Sequence, residues 1–515
     1  MMIKKSFIKQ LKGSLIVLTS ISFHAIIILI LMLFIIQRPA IEVEVILDTS
    51  NITGDNLGSN ENSSSEKEFN KSDKIEENIT DDTANVESIN PDQIADYEEV
   101  IPLDRESVAP EIFAINSTSF GSISSVKIKN DKLASRFGSN KYKALLHNGG
   151  SKKTEMAVSA GIDWLIRHQE KDGHWNTLKY CTKKTFNSNN WDLGVSALAL
   201  LAILGAGNTD RKGKYKKNVR MSLDWIRKNQ DDNGCYATSK TGQYGYWTMY
   251  NHAICTMAMA EAIGMNCDKK YKSSLNQAIK FISRYRNKKG LWGYLPSDRR
   301  YDSSIIGWIT MALKASQLAD IYVPKVHFSN IRRHCFNSPK HVKRISKLSP
   351  FDPTLNYTDL QPHAGRRGPA MTGIGMLLLM YTGTKQNSTR LFTGAEKLLT
   401  ATPEWIKNTN KGFAKLSSSY SGTRFNNEYT WYYGTIVMFQ MGGKYWKTWN
   451  RKMQEALLPN QSTGSLKDGS LEDISGSWPT LSHGFGSNAG RVYMTAIACL
   501  NLEVYYRYTK FFKKK

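Results

Sequence analysis

Residues 164–175 read WLIRHQEKDGHW. Residues 225–236 read WIRKNQDDNGCY, and residues 281–292 read FISRYRNKKGLW. All three share one grammar: an aromatic, an aliphatic, three residues, Gln or Arg, three more, Gly, one residue, an aromatic. Trp164 and Leu165 belong to the last turns of an amphipathic helix. Gln169 falls where a side-chain amide can satisfy backbone groups orphaned at a helix end. Gly173 suits a left-handed turn position, and Trp175 then folds back as a large apolar lid. Trp225, Gln230, Gly234 and Tyr236 repeat these roles, as do Phe281, Arg286, Gly290 and Trp292. The stretch reads as a structural staple at the end of a helix.

Around the staples, from about residue 151, two kinds of helical segment alternate. One is charged along one face, as in KKNVRMSLDWIRKNQ (216–230). The other is almost free of polar residues: 195–207, 252–264, 305–319, 370–383, 435–443 and 492–506. Helices apolar all round belong inside, and amphipathic ones form an outer layer. The six apolar segments recur at intervals of very roughly 55–60 residues, the signature of a repeat architecture. The expected fold class is all-α, an (α/α)6 toroid of paired inner and outer helices over residues 151–510.

Gln169…Gly173-His-Trp175 is similar to the repeat motif of the prenyltransferase and squalene-cyclase superfamily. Segments such as MYNHAICTMAMAEA, DSSIIGWITMALKAS and YTWYYGTIVMFQMGG resemble a bacterial membrane-anchored group that carries this repeat. The resemblance spans about residues 151–510. It implies a terpenoid-cyclase-like toroid with a central cavity lined by residues at the N-terminal ends of the inner helices.

The chemistry of those families is not retained in recognisable form. Squalene-hopene cyclases use an Asp-x-Asp-Asp cluster, which this chain lacks. Asp302 in DSSIIGW and Asp192 in WDLGVSA each stand alone. Protein prenyltransferases hold zinc with Asp-x-Cys and a later His. Here Asp302-Ser303-Ser304 has serine at the thiolate position, and His363 precedes GRRGPAMTG. One Asp and one His do not make a zinc site, so no metal and no cofactor are expected. Asp302 and His252 are the catalytic candidates, with a hydrogen-bonded core histidine as the competing reading of His252. Tyr250, Trp308, Trp431, Tyr432, Arg491 and Tyr493 are the ligand-cavity candidates, packing of the toroid interior being the alternative. Asp302, once buried, needs a partner, and Arg491 or His252 is expected to supply it.

Before the repeats the chain changes character twice. Residues 14–36 run for 23 residues without a formal charge, long enough to span a bilayer. Lys4, Lys5, Lys9 and Lys12 precede the run and acidic sequence follows it. The positive-inside rule then places residues 1–13 in the cytoplasm and the body outside it, on a single-pass anchor in the inner membrane. Ser20 and His24 share one face of that span, and an ionisable residue at membrane depth is a functional hypothesis. With Pro39 and the Ile41-Glu-Val43-Glu-Val45 stretch, the anchor weakly resembles TonB-type energy transducers. That implies Ser20 and His24 as membrane-coupling residues facing a proton-driven motor complex. Residues 37–150 are expected to form a mostly disordered linker, with KYKALLHNGG a short helix leading into the body. Within it, residues 51–110 hold 16 acidic and 4 basic side chains. Such a segment cannot bury enough apolar surface to offset its ordering entropy.

The chain as a whole carries a net charge of +24. No zinc finger or phosphate-cradling loop points to nucleic acid. Six cysteines without a C-x-x-C pair do not form a recognisable framework. Three functions fit these residues. The first is a binding or scaffolding module in the cell envelope, taking a small molecule or a protein in its cavity. The second is an enzyme of the cyclase or transferase class acting on an isoprenoid-like substrate. The third is a component coupled to a proton-driven motor.

Overall fold

The computed structural model describes residues 131–180, 191–237, 244–337, 351–359, 368–405, 427–464, 473–481 and 485–512. All belong to one unit, Thr49–Lys515. The expected span at 14–36, Ser20, His24 and His363 lie outside the described residues. No described helix is long and apolar enough to cross a membrane.

The described chain is helical, and its only pairing of extended backbone consists of two isolated bridges. Two short helices come first, α1 (Asp131–Ala134) and α2 (Gly138–His147). The packed body therefore begins before residue 151: Leu133, Arg136, Lys141 and Leu145 are all buried. Six outer helices follow: α3 (Lys152–Arg167), α5 (Lys216–Lys228), α7 (Lys272–Arg284), α9 (Lys325–Asn337), α11 (Thr389–Leu399) and α13 (Gly443–Leu457). They alternate with six inner ones: α4 (Asp192–Gly205), α6 (Thr248–Gly264), α8 (Ser303–Leu318), α10 (Pro369–Tyr381), α12 (Glu428–Met441) and α14 (Gly486–Leu502). A last short helix is α15 (Val504–Arg507).

The inner helices form a closed ring: α4 packs on α6, α6 on α8, α8 on α10, α10 on α12, α12 on α14, and α14 back on α4. The outer helix α3 packs on α14 and completes the second layer. Every residue of α4 is buried, whereas α5 buries one stripe, Val219, Ser222, Leu223 and Ile226. That contrast is the physical basis of the two layers, and the chain is an (α/α)6 toroid.

The staples sew the outer layer together. Trp175 is fully buried, and its indole N–H donates to the Leu165 carbonyl at 2.7 Å. Trp292 does the same to Ile282 at 2.8 Å. The Gln169 amide donates to the Gly173 carbonyl at 2.9 Å and reaches Asn218 and Ser222 of the next outer helix. It thus joins two helices rather than finishing its own. Gly173 has φ +105° and abuts the Met221 backbone, while Gly234 has φ +89° and abuts Gln277. A Cβ fits at neither. A further staple closes the ring. Gln461 donates to Gly476 at 2.7 Å and to Ala157 of α3 at 2.8 Å, and the Trp478 indole N–H donates to Leu457 at 2.7 Å.

The two ends of the ring differ. At one, the residues that start α4, α6 and α14 meet: Trp191, Trp247 and Phe485 lie 4.3–5.7 Å apart by ring centroid. At the other, residues 503–512 cross the helix ends as a stopper. Arg507 donates to Leu201 of α4 at 2.7 Å and pairs with Glu261 of α6 at 2.8 Å and with Glu503 at 3.2 Å. Arg136 pairs with Glu261 at 2.7 Å and donates to the Arg507 carbonyl. Gln440 of α12 bonds Thr509 and Phe511. Arg136 and Arg507 together outweigh burial and hold the Glu261 carboxyl below its ordinary pKa. Burial dominates at Glu503 and pushes it up to about 8.

Candidate functional site

The open end is built on two carboxyl groups. Asp302 is the N-cap of α8 and 1% exposed. One oxygen, Oδ1, accepts from the Ser304 and Ile305 N–H groups at 2.9 and 3.0 Å and from the Ser304 hydroxyl. That is an ordinary capping role. The other oxygen, Oδ2, is buried without a hydrogen-bond partner in the structure. Burial raises the Asp302 carboxyl to about 6 against its bonds from Ser304 and Ile305 and the nearby Tyr357 hydroxyl. Four phenols feel its charge: Tyr250 of α6, Tyr294 and Tyr357 from loops, and Tyr429 of α12. Tyr250 bonds the Ser304 hydroxyl, and Tyr294 bonds Tyr357.

Glu428, the first residue of α12, is fully buried. Its Oε1 accepts from the Gly486 N–H at 2.7 Å, where α14 begins. Its Oε2 is buried without a partner, and burial raises the carboxyl to about 7. Tyr493 is buried beside this end and feels the charge of Glu428 and the phenol of Tyr429. The hydroxyls of Tyr429 and Tyr433 are near each other, and neither makes a well-formed hydrogen bond. No described Lys or Arg forms an ion pair with either carboxyl. Above them the aromatics are only partly covered: Trp247, Tyr250, Tyr294, Tyr357, Tyr429 and Phe485 are half-buried and Tyr246 is 56% exposed. Tyr246 stacks on Tyr294, centroids 4.3 Å apart and planes at 15°.

The structure brings some of the sequence candidates together and separates others. Tyr250 meets Asp302 through Ser304. Trp308 stacks on Tyr432 at 5.3 Å deeper in the ring, and Tyr493 packs on Phe485 at 5.6 Å. Trp431 faces outward, toward Trp405 at 6.1 Å. Arg491 was expected to partner Asp302, but its guanidinium donates to Ser477 at 2.9 Å and Ser462 at 3.3 Å, under the ring-closing staple. His252 was the other expected partner, and it too serves a staple. Its Nδ1 accepts from the Tyr236 N–H and its Nε2 meets the Ala278 carbonyl, both at 3.1 Å. Burial depresses it to about 3, so it is neutral. Ser196 and Thr495 accept from the Trp175 and Trp478 N–H groups in the same way. The lone Asp192 accepts from Thr177 at 2.6 and 2.9 Å.

Sequence reasoning pointed to Tyr433 with the other aromatics at inner-helix starts and missed Glu428, Tyr294, Tyr357 and Tyr429. Tyr429 and Tyr433 stand in the same aromatic first turn as Trp431 and Tyr432, and Glu428 there reads as an ordinary helix-start carboxylate. Tyr294 and Tyr357 lie in loops with no periodicity to mark them. Among the described residues no three His, Cys, Asp or Glu side chains gather into a metal-binding set.

No family model matches the chain. No curated protein matches it either. Solved structures do. An α-1,6-mannanase from Salegentibacter is 9% identical, with 68% of this chain and 98% of that one covered and a TM-score of 0.43. A type II terpene cyclase from Scytonema is 9% identical, with 71% and 99% covered and a TM-score of 0.43. A protein titled a novel α-amylase from Clostridium perfringens is 9% identical, with 68% and 98% covered, again at 0.43. At these values the similarities carry no argument about activity.

Proposed function

We propose that this chain is a membrane-anchored toroid that binds a ligand at the end where the inner helices begin. One observation carries the reading: two buried carboxyl groups from α8 and α12, each with an oxygen lacking a partner, lie beneath aromatics that solvent reaches. Buried polar atoms are satisfied in the great majority of cases. A concave, largely aromatic site with a few convergent polar groups is the default ligand-site hypothesis. The test uses the full chain purified from its membrane. Small-molecule extracts of the source cells are screened by thermal shift and native mass spectrometry against the wild type, Asp302→Asn and Tyr294→Ala. A molecule that binds the wild type and is lost from both variants supports the site. Binding that survives both variants, or no binding at all, counts against it.

Asp302 also favours a second reading, an acid-catalysed reaction on an isoprenoid-like substrate. A carboxyl raised toward neutrality is suited to proton donation. It stands alone, however, without the neighbouring carboxylate of the cyclase motif, and binding is the preferred reading. A product formed from a polyprenyl substrate by the wild type but not by Asp302→Asn would reverse that order. The anchor at 14–36 places the body on the far side of the inner membrane, where protease added to spheroplasts removes it. The coupling reading of Ser20 and His24 is supported if His24→Ala abolishes the cellular function while leaving membrane insertion intact.

A further inference from the structure

Resting on that binding reading, we infer that the ligand is a neutral, hydroxyl-rich ring: a sugar unit, presented as part of an oligosaccharide. The first argument is the chemistry of four buried atoms that make no well-formed hydrogen bond, Asp302 Oδ2, Glu428 Oε2, Tyr429 OH and Tyr433 OH. Two are carboxyl oxygens, which accept when ionised and donate when protonated, and two are phenols that both donate and accept. A sugar hydroxyl also donates and accepts, so neighbouring hydroxyls satisfy both kinds of group at once.

Other ligand classes leave part of the set unmet. An anionic ligand meets two carboxyl groups and no described cation. An organic ammonium ion donates only, so it offers the Tyr429 and Tyr433 hydroxyl protons no acceptor. A hydrocarbon leaves all four atoms without a hydrogen-bond partner.

The second argument is the rim. Tyr246 and Tyr294 form a stacked pair, with Trp247 packed edge-on against Tyr294 at 6.1 Å. Partly exposed phenol and indole rings offer an apolar face and a polar tip. The two sides of a pyranose, C–H groups on its faces and hydroxyls round its edge, match that surface. The carboxyl shifts agree: groups at about 6 and about 7 exchange protons near neutrality, so each can accept from or donate to a hydroxyl.

The experiment uses the full chain in a polyoxyethylene-ether detergent, because maltoside detergents carry the proposed ligand chemistry. An array of neutral gluco-, manno-, galacto- and N-acetylglucosamine oligosaccharides is screened, and hits are titrated calorimetrically. The expected result is binding of at least one series. Trp247→Ala and Tyr294→Ala each weaken it about tenfold or more, while Tyr294→Phe, which keeps the ring, weakens it less. Farnesol and spermidine are titrated alongside. If either binds, is lost in Tyr294→Ala, and no oligosaccharide binds, the sugar class is overturned while the binding site stands. An oligosaccharide that binds equally well to both alanine variants sits elsewhere, and the site falls with the inference. Failure of every oligosaccharide overturns the sugar class outright. Circular dichroism melts of each variant separate lost binding from lost folding.

Discussion

Asp302 divides its two oxygens between two tasks. Oδ1 holds the start of α8 and Oδ2 is left in a tyrosine-lined interior. Because burial favours its protonated form, the folded protein binds that proton more tightly than the unfolded chain does. Its contribution to stability is intact below about pH 4 and is lost as pH rises through about 6. The phenols facing it ionise far above that window. Asp302→Asn has no proton to lose, so the stability of wild type relative to the variant should fall by on the order of 3 kcal/mol between pH 4 and pH 7. Unfolding midpoints measured across that range check this, and a constant difference would mean that Asp302 does not titrate there. Depressed histidines such as His252 and His334 act in the opposite direction, and their contribution cancels in the comparison. Asp302 was legible as a site residue because it begins an apolar helix. Its surroundings were not, since Tyr294 and Tyr357 reach it from loops and Arg491, after a helix start broken at Gly490 (φ +81°), donates to Ser477 and Ser462.

At the scale of elements, the inner helices were legible because nothing but burial explains runs such as VSALALLAILGAG. Their first turns were not. α12 begins at Glu428 rather than near 435, since Glu-Tyr-Thr-Trp-Tyr-Tyr mixes polar and aromatic residues and hides the apolar run. The ring-closing staple was missed for a related reason: fourteen residues intervene between Gln461 and Gly476, eleven more than the three expected. Gly234→Ala tests the staple. Its positive φ costs about 1–2 kcal/mol, and crowding against Gln277 adds roughly 1–3 kcal/mol. Gly383, with φ +87° and open space around it, is the control that meets only the first cost. Urea unfolding should rank Gly234→Ala as the more damaging. His252→Leu leaves the Tyr236 N–H without its acceptor and should cost about 1–3 kcal/mol while leaving ligand binding unchanged, as calorimetry of the folded variant would show.

For the whole molecule the decisive structure is the stopper at 503–512. Arg507→Met leaves Glu503 without its partner inside the protein and Glu261 with Arg136 alone, and breaking a buried ion pair from one side costs about 3–5 kcal/mol. Adding Glu503→Gln should recover part of that loss, and a double-mutant cycle in denaturant measures how much. The contacts that shut the ring are also remote along the chain: Arg136 reaches across 371 positions to Arg507, and Gln461 across 304 to Ala157. A partial ring has nothing to shut against. During synthesis, the early repeats must wait with apolar flanks uncovered until residues 461–512 have emerged, and such non-local closure is intrinsically slow. A chain truncated before residue 461 should therefore keep apolar flanks uncovered and aggregate rather than form a smaller toroid.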